Sequence, residues 1–292
     1  MQELNKNLIN CYTSKKVVAI NIGYAQTKIR YGENKNDIVI FNSKVGNYID
    51  ESPNNLVEID GKKYCVSTGN YSFDLNKSNT LHQKVLLRHS LDLIKEEMKN
   101  VVVAMPCNVY INKKHRKDYL ELVKSMHDVS DAIVYIEGGS LVFHDYDFFK
   151  NKVCVLLDIG GFTINGMIFD DCQLIKESVF SVPLGILVLN DRIRTSLEQN
   201  SYSMVNDEQI KYMYESDIAK NIVSSYIEEI KNILRKKGYP TFDMCSYRCT
   251  GGGSELLREI LVQNFNAYIG KEPVFENVNG MYQVGREYFN HD

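Results

Sequence analysis

Apolar and polar positions along the 292-residue chain fall twice into one pattern: an apolar run, a polar residue, a glycine two positions on, then a second extended segment. Val153-Cys154-Val155-Leu156-Leu157 delivers Asp158-Ile159-Gly160-Gly161-Phe162-Thr163, and an extended segment continues to Phe169. Earlier, Val17-Val18-Ala19-Ile20 delivers Asn21-Ile22-Gly23, and the chain resumes through Thr27, Lys28, Ile29 and Tyr31. Each reads as strand, tight turn, strand, with Asn21 and Gly23 corresponding to Asp158 and Gly160. Gly160 and Gly161 allow a sharp turn that brings N–H groups against an anion, and Asp158 could hold a hydrated divalent cation beside it. The ligand this predicts is a metal-bound polyphosphate; a plain hairpin with Asp158 as a turn residue is the alternative. One such unit in each half predicts two similar domains facing each other across a cleft.

The remaining periodicity predicts an α/β chain. Asp37 to Phe41 reads as a third strand, and Leu56 to Val66 as two strands joined at Asp60-Gly61. The surrounding stretch, 43–79, is rich in Asn, Ser, Asp and Gly and reads as a small excursion. Val85, Leu86, Ile94 and Met98 predict a helix over Leu81 to Met98, followed by a buried strand at Val101 to Pro106. Asn112 is placed to cap a helix reaching about Met126, before a strand at Ala132 to Ile136. That strand ends in Glu137-Gly138-Gly139-Ser140-Leu141, an acid and two glycines expected to open a linking helix. Further on, Leu174 to Val182 reads as extended, Leu187, Leu189 and Ile193 as helical, and Asp217 to Lys237 as a helix. Its expected buried face is Ile218, Ile222, Tyr226, Ile230 and Ile233 or Leu234. Arg235-Lys236-Lys237 suits its C-terminal dipole, and Gly238 and Pro240 stop it. Finally Tyr247 to Thr250 enters Gly251-Gly252-Gly253 and a helix carrying Ile260 and Leu261. Three glycines let a flat base and ribose lie against the backbone. Strand and helix alternate as around a central sheet.

Composition narrows the class. Hydrophobic residues make up 44% and charged residues 24%, ordinary for a soluble globular protein. A net charge of −3 offers no general attraction to nucleic acid, so direct binding to it is not expected. Seven cysteines show no paired framework, and Cys245 and Cys249 lack a second pair at zinc spacing; free thiols in a reducing cytoplasm explain them. No apolar run is long enough to span a bilayer, and Met1 to Ser14 is polar and reads as a flexible tail without a signal-peptide core. The expected localisation is cytoplasmic, with no membrane partner. Lys113-Lys114-His115-Arg116-Lys117 opposes the macrodipole at a helix start and reads either as a solvated turn or as a docking patch for an acidic surface.

Taken in order, the two hairpins, the Glu137 segment, Thr250-Gly251-Gly252-Gly253 and Val278-Asn279-Gly280-Met281 resemble the actin, sugar-kinase and chaperone-ATPase superfamily. The nearest likeness is to the bacterial actin-like proteins of the ParM type, which segregate plasmids. That resemblance implies an actin-like ATPase fold, two similar domains flanking a nucleotide cleft. Domain I would span 15–140 with an insertion at about 42–80, and domain II 141–277 with a helical subdomain at about 185–245. Residues 278–292 would form a helix returning to domain I. ATP, with GTP left open, and Mg2+ would lie between the domains. The nucleotide-binding positions would be Asn21, Gly23, Thr27, Lys28, Gly160, Gly161, Thr163, Gly251, Gly252, Gly253 and Gly280. In these roles Gly23, Gly160 and Gly161 donate N–H groups to the phosphates and Lys28 neutralises their charge. Asp158 holds Mg2+ through water and Glu137 orients the attacking water. The partners implied are further copies of the chain in a filament, whose neighbour would supply an acidic surface for Lys113 to Lys117, and a DNA-binding adaptor.

Two departures stand out: Asn21 replaces the usual Asp, and Asn165 ends the second hairpin where some segregation proteins carry another Asp. The other readings are a small-molecule kinase, for which Asp50 or Asp74 would be the base, and a non-polymerising nucleotide switch. A switch anchored by a membrane-binding tail would not suit the C-terminal Arg286 to Asp292.

Overall fold

The apolar runs become the inner strands of two five-stranded sheets in the computed structural model, which describes residues 16–48, 55–74, 78, 80–199 and 206–289. β1 (Lys16–Ile22), β2 (Gln26–Arg30) and β3 (Ile38–Asn42) form an antiparallel meander. Next come β4 (Lys44–Asn47), β5 (Leu56–Ile59), β6 (Lys62–Val66) and β7 (Asn70–Tyr71), which make a separate four-stranded sheet. α1 (Leu81–Asp92), β8 (Lys99–Met105), α2 (Cys107–Tyr110), α3 (Lys113–Lys124) and β9 (Val129–Ile136) follow. They complete a sheet in the order β3-β2-β1-β8-β9. Through α4 (Leu141–His144) and α5 (Tyr146–Phe149) the chain reaches β10 (Val153–Ile159), β11 (Ile164–Asp170) and β12 (Gln173–Val182). Helices α6 (Ile186–Gln199), α7 (Asp207–Ile210) and α8 (Asp217–Lys236) come next. β13 (Ser246–Thr250), α9 (Gly252–Leu256), α10 (Arg258–Phe265), β14 (Tyr268–Ile269) and α11 (Pro273–Phe289) end the described chain.

The second sheet runs β12-β11-β10-β13-β14, the same plan as the first: a three-strand meander whose first strand continues into two parallel neighbours. Parallel strands buried on both faces read as continuous apolar runs, and Val18, Ile20, Val101 and Val103 in one sheet and Val155, Leu157 and Cys249 in the other are fully buried. The first sheet is packed by α1 and α3, the second by α6, α8 and α10. α11 lies on the opposite face of the first sheet, where Val278 and Met281 bury against Ala19, Val102 and Ala104.

Four expectations shift. The helix read from Leu81 to Met98 stops at Asp92: the Leu93 N–H closes on the His89 carbonyl, and Met98 is exposed just before Lys99 enters β8. Lys99 must extend there because its buried ammonium reaches Asp128 at 3.0 Å. On α8 the buried face is turned toward Ala219, Val223 and Ile227, and Ile218 is exposed. The stretch read as a small excursion holds two further short strands, β4 and β7, whose alternation is too brief to show in the sequence. The last helix starts at Pro273, so Val278 to Tyr282 lies within it. The cap at Asn112 forms as read, its side-chain oxygen accepting from the N–H groups of Lys114 and His115. The tail at 1–14, Asp50 and residues 290–292 lie outside the described residues.

Candidate active site

In both sheets the carboxyl ends of the parallel strands point to one cleft of about 530 Å3, a volume suited to a small ligand. Antiparallel register sets Asn21 opposite Lys28 on the first hairpin and Asp158 opposite Asn165 on the second. All four line the cleft, as does Glu137 at the end of β9, whose N–H donates to the Met105 carbonyl. The Asn165 amide donates to Glu137 Oε2 at 3.3 Å. Asn21 Oδ1 and Asn165 Oδ1 are buried without a hydrogen-bond partner. A buried carbonyl oxygen left unpaired is costly, so two such atoms on residues lining the same cleft as a pair of carboxylates mark a place for a cation or a donor.

The two turns are built alike. The Gly23 N–H closes on the Gln26 carbonyl at 3.0 Å and the Gly160 N–H on the Thr163 carbonyl at 2.9 Å. These two donors are therefore taken up within the turns, which corrects the expectation that they face phosphate. The turn carbonyls are also held. Ala25 accepts from the Ser43 N–H, while Gly160, Gly161 and Phe162 accept from the N–H groups of Ile186, Leu187 and Gly185. The tips touch across the cleft, since a Cβ built on Gly161 would lie 2.7 Å from that of Ala25.

Asp158 is held between glycines on two other segments. Gly138, at φ +83°, packs on its Cβ, and a Cβ on Gly251, at φ +90°, would come within 2.5 Å of its Oδ1. Burial first, then the Glu137 carboxylate, push the Asp158 carboxyl up to about 7, against the pull of Lys28 and an Asn165 hydrogen bond. Burial likewise lowers the Lys28 ammonium, opposed by Asp158 and Glu137. Two carboxylates and one ammonium thus share a poorly hydrated space, the usual setting for a functional group of shifted pKa.

The donors are hard oxygens: two carboxylates and two unpartnered amide carbonyls. Among the described residues no group of three or more His, Cys, Asp or Glu side chains is arranged to hold a metal by itself. That combination fits Mg2+, which keeps most of its water and shares phosphate oxygens instead of being caged by protein.

Gly160, Gly161, Thr163, Gly251 and Gly252 also line the cleft, and three expected residues do not. Thr27 is fully buried with its hydroxyl against that of Ser43 at 2.8 Å. Gly253 backs onto Ile159. Gly280 sits where α11 crosses the α4 segment, and a Cβ there would be 2.2 Å from the Ser140 carbonyl oxygen. Further walls were not read from the sequence: Tyr24, Ala25 and Gln26 of the first turn, Asn42 at the end of β3, Tyr71 from the insertion, Ile186, Leu187, Asn190 and Lys211 from the helical segment, and Glu255, Leu256, Val274 and Asn277. Proximity to Gly23 would have pointed to the turn residues, and proximity to Gly251-Gly252-Gly253 to Glu255 and Leu256; the others come from distant segments. Asp74, the proposed kinase base, offers its main-chain carbonyl to the Tyr24 hydroxyl at 3.3 Å and does not line this cleft.

Residues 19–148 match the family of actin like proteins, N terminal domain. Solved structures match along nearly the whole chain, so the protein has the actin-like fold that its motifs led one to expect. A ParM from Clostridium botulinum in a 15-stranded filament is 20% identical, with 94% of this chain and 100% of that one covered and a TM-score of 0.70. The Alp12 filament structure is 21% identical over 95% and 100%, with a TM-score of 0.69. An archaeal actin homolog, Ta0583, in complex with ADP is 16% identical over 93% and 99%, at 0.74. No curated relative matches the sequence significantly.

Proposed function

We propose that the cleft binds ATP with Mg2+, that this binding drives assembly of filaments of this chain and that hydrolysis leads to their disassembly, in the service of plasmid DNA segregation. The observation that carries this reading is the convergence of Lys28, Asp158 and Glu137 at the strand ends of two like sheets, beside a glycine turn and two unpartnered amide oxygens. Filaments of ParM and Alp12 and the ADP complex of the archaeal homolog support it by similarity of fold.

In this reading one domain takes 15–140, the other runs from 141 to the start of α11, and α11 returns to the first sheet, with the insertion and the helical subdomain walling the cleft. Lys28 neutralises phosphate charge, and donors of the turns other than the Gly23 and Gly160 N–H groups meet the phosphates. Asp158, with Asn21 and Asn165 nearby, holds the hydrated Mg2+, whose chemistry is to neutralise charge developing on the transferred phosphoryl group. Glu137, kept in place by Asn165, orients the attacking water and takes up its proton. Gly251 and Gly252 bear the base and ribose. Such catalysis is positioning and electrostatics, with little covalent work for the protein. Loss of phosphate removes what favours the closed cleft and weakens the polymer. A DNA-binding adaptor and a cytoplasmic location complete the proposal. Among the described residues no helix is long and apolar enough to cross a membrane.

Light scattering of the purified chain after addition of ATP and Mg2+, with phosphate release followed in the same sample, tests it. A rise, then a fall that tracks phosphate, is expected. Hydrolysis with flat scattering across protein concentration would remove the filament, and phosphorylation of an added metabolite would replace it with a kinase.

A further inference from the structure

Three aromatic rings from three separate segments meet over the hairpin tips. Tyr24, on the first turn, lies 5.3 Å from Phe162, on the second, and Phe73, from the insertion just after β7, lies 5.0 Å from the same Phe162. Both pairs are tilted, at 60° and 56°, an arrangement that aromatic quadrupoles favour. The three arms are held unequally. Phe162 rides on a turn whose carbonyls are bound by the start of α6, and Tyr24 is buried, its hydroxyl donating to the Asp74 carbonyl. Phe73 is 54% exposed and follows a two-residue strand at the edge of the small sheet. Two residues before it, Tyr71 lines the cleft.

We infer that Phe73 is a positioning residue of the phosphate site: by closing on Phe162, which itself packs on Tyr24, it joins the insertion sheet to the paired hairpins and gates the phosphate end of the cleft. This rests on the nucleotide reading above. The rings carry no charge and cannot bind phosphate, so their contribution is to keep the two turns together and water out. The weakly tethered ring is the one that leaves first, opening the tips where Gly161 and Ala25 touch. Phosphate departure and movement of the insertion sheet then become one event.

The test uses the full chain, a fluorescent ATP analogue with Mg2+, and a phosphate sensor. An aromatic pair is worth enough to change a rate by about 2- to 10-fold, so Phe73→Ala is expected to speed nucleotide dissociation and phosphate release by that factor. Because the ring is half-exposed, the melting temperature of the unliganded chain is expected to stay within a degree or two, on the order of other surface changes. Phe162→Leu, which keeps an apolar side chain, and the double variant complete a cycle: the effect of Phe73→Ala should vanish in the Phe162→Leu background. Additive effects, or release rates unchanged in Phe73→Ala, overturn the gate while leaving nucleotide binding intact. A wild-type chain that binds no nucleotide overturns both readings.

Discussion

Gly251 is seated so closely on Asp158 that a single added methyl would occupy the space 2.5 Å from the carboxylate oxygen. Its φ of +90° and ψ of 169° belong to a region essentially reserved for glycine. Gly251→Ala therefore meets two penalties, backbone strain of about 1–3 kcal/mol and displacement of Asp158. The neighbouring Gly252 has nothing within 4 Å of an added Cβ. Calorimetric titration with ATP and Mg2+ and thermal melting should show at least about a tenfold loss of affinity and a lower melting temperature for Gly251→Ala. Gly252→Ala should melt as the wild type does.

The raised Asp158 carboxyl predicts a pH dependence with a definite sign. Burial and Glu137 keep its proton bound in the folded, unliganded chain up to about pH 7, whereas the unfolded chain releases it near the ordinary carboxylate value. Unliganded stability should therefore fall as pH rises from about 4 to 7, and Asp158→Asn should flatten that slope. If Asp158 takes its proposed role at the metal, binding of the Mg2+ complex needs the ionised carboxylate and should strengthen with pH up to about 7 and then level off. Proton release on binding, measured in buffers of different ionisation enthalpy, checks the assignment; no proton release at pH 6 would remove Asp158 from the metal.

Glu137 and Asn165 offer a separation of binding from turnover. Glu137→Gln keeps the size of the side chain but cannot take up a proton from water, so nucleotide affinity should stay near the wild-type value. Hydrolysis should slow by about 10²- to 10⁴-fold, the range for loss of a general base. Stopped-flow binding with single-turnover phosphate release distinguishes the steps. Wild-type hydrolysis would take Glu137 out of its role.

Away from the cleft, Asp128 accepts a two-pronged bond from Arg88 at 2.7 and 2.6 Å and a third from Lys99 at 3.0 Å. Burial pushes this carboxyl up, but the two cations outweigh it and hold it well below the usual carboxylate range. Its contribution to stability is then present above about pH 4, the unfolded value, and is lost as pH falls toward the depressed folded one. Asp128→Asn takes the buried carboxylate from Lys99, which keeps the Glu96 carbonyl, and leaves Arg88 with Asp92; it should cost up to about 3–5 kcal/mol in urea unfolding at pH 7, while losing part of the acid sensitivity of the wild type below pH 4.

What was legible in the sequence was whatever is written locally. The hairpins at Asn21 and Asp158 announce themselves through an apolar run ended by one polar residue and glycine, and Glu137 through its place before two glycines. Their meeting in one cleft was legible as well, because a motif that occurs twice implies one architecture twice. Roles that depend on tertiary placement were not. Gly280 and Gly23 look alike as glycines in motifs, yet one lets two helices cross and the other closes a turn with its own N–H. Asn190, Lys211 and Tyr71 reach the cleft from segments with no glycine or charge pattern to mark them, and the Phe73–Phe162 contact joins residues that share no local signal.

The matched registers of the two hairpins have a last consequence. The same two positions hold Asn21 and Lys28 on one side and Asp158 and Asn165 on the other, so a nearly symmetric frame carries a cation on one arm and an anion on its counterpart. An elongated ligand with a metal at one end could enter a symmetric cradle either way round. Here each charged residue has a neutral asparagine as its equivalent, Asn21 for Asp158 and Asn165 for Lys28, so the tie is broken and a two-fold scaffold becomes a socket with one polarity.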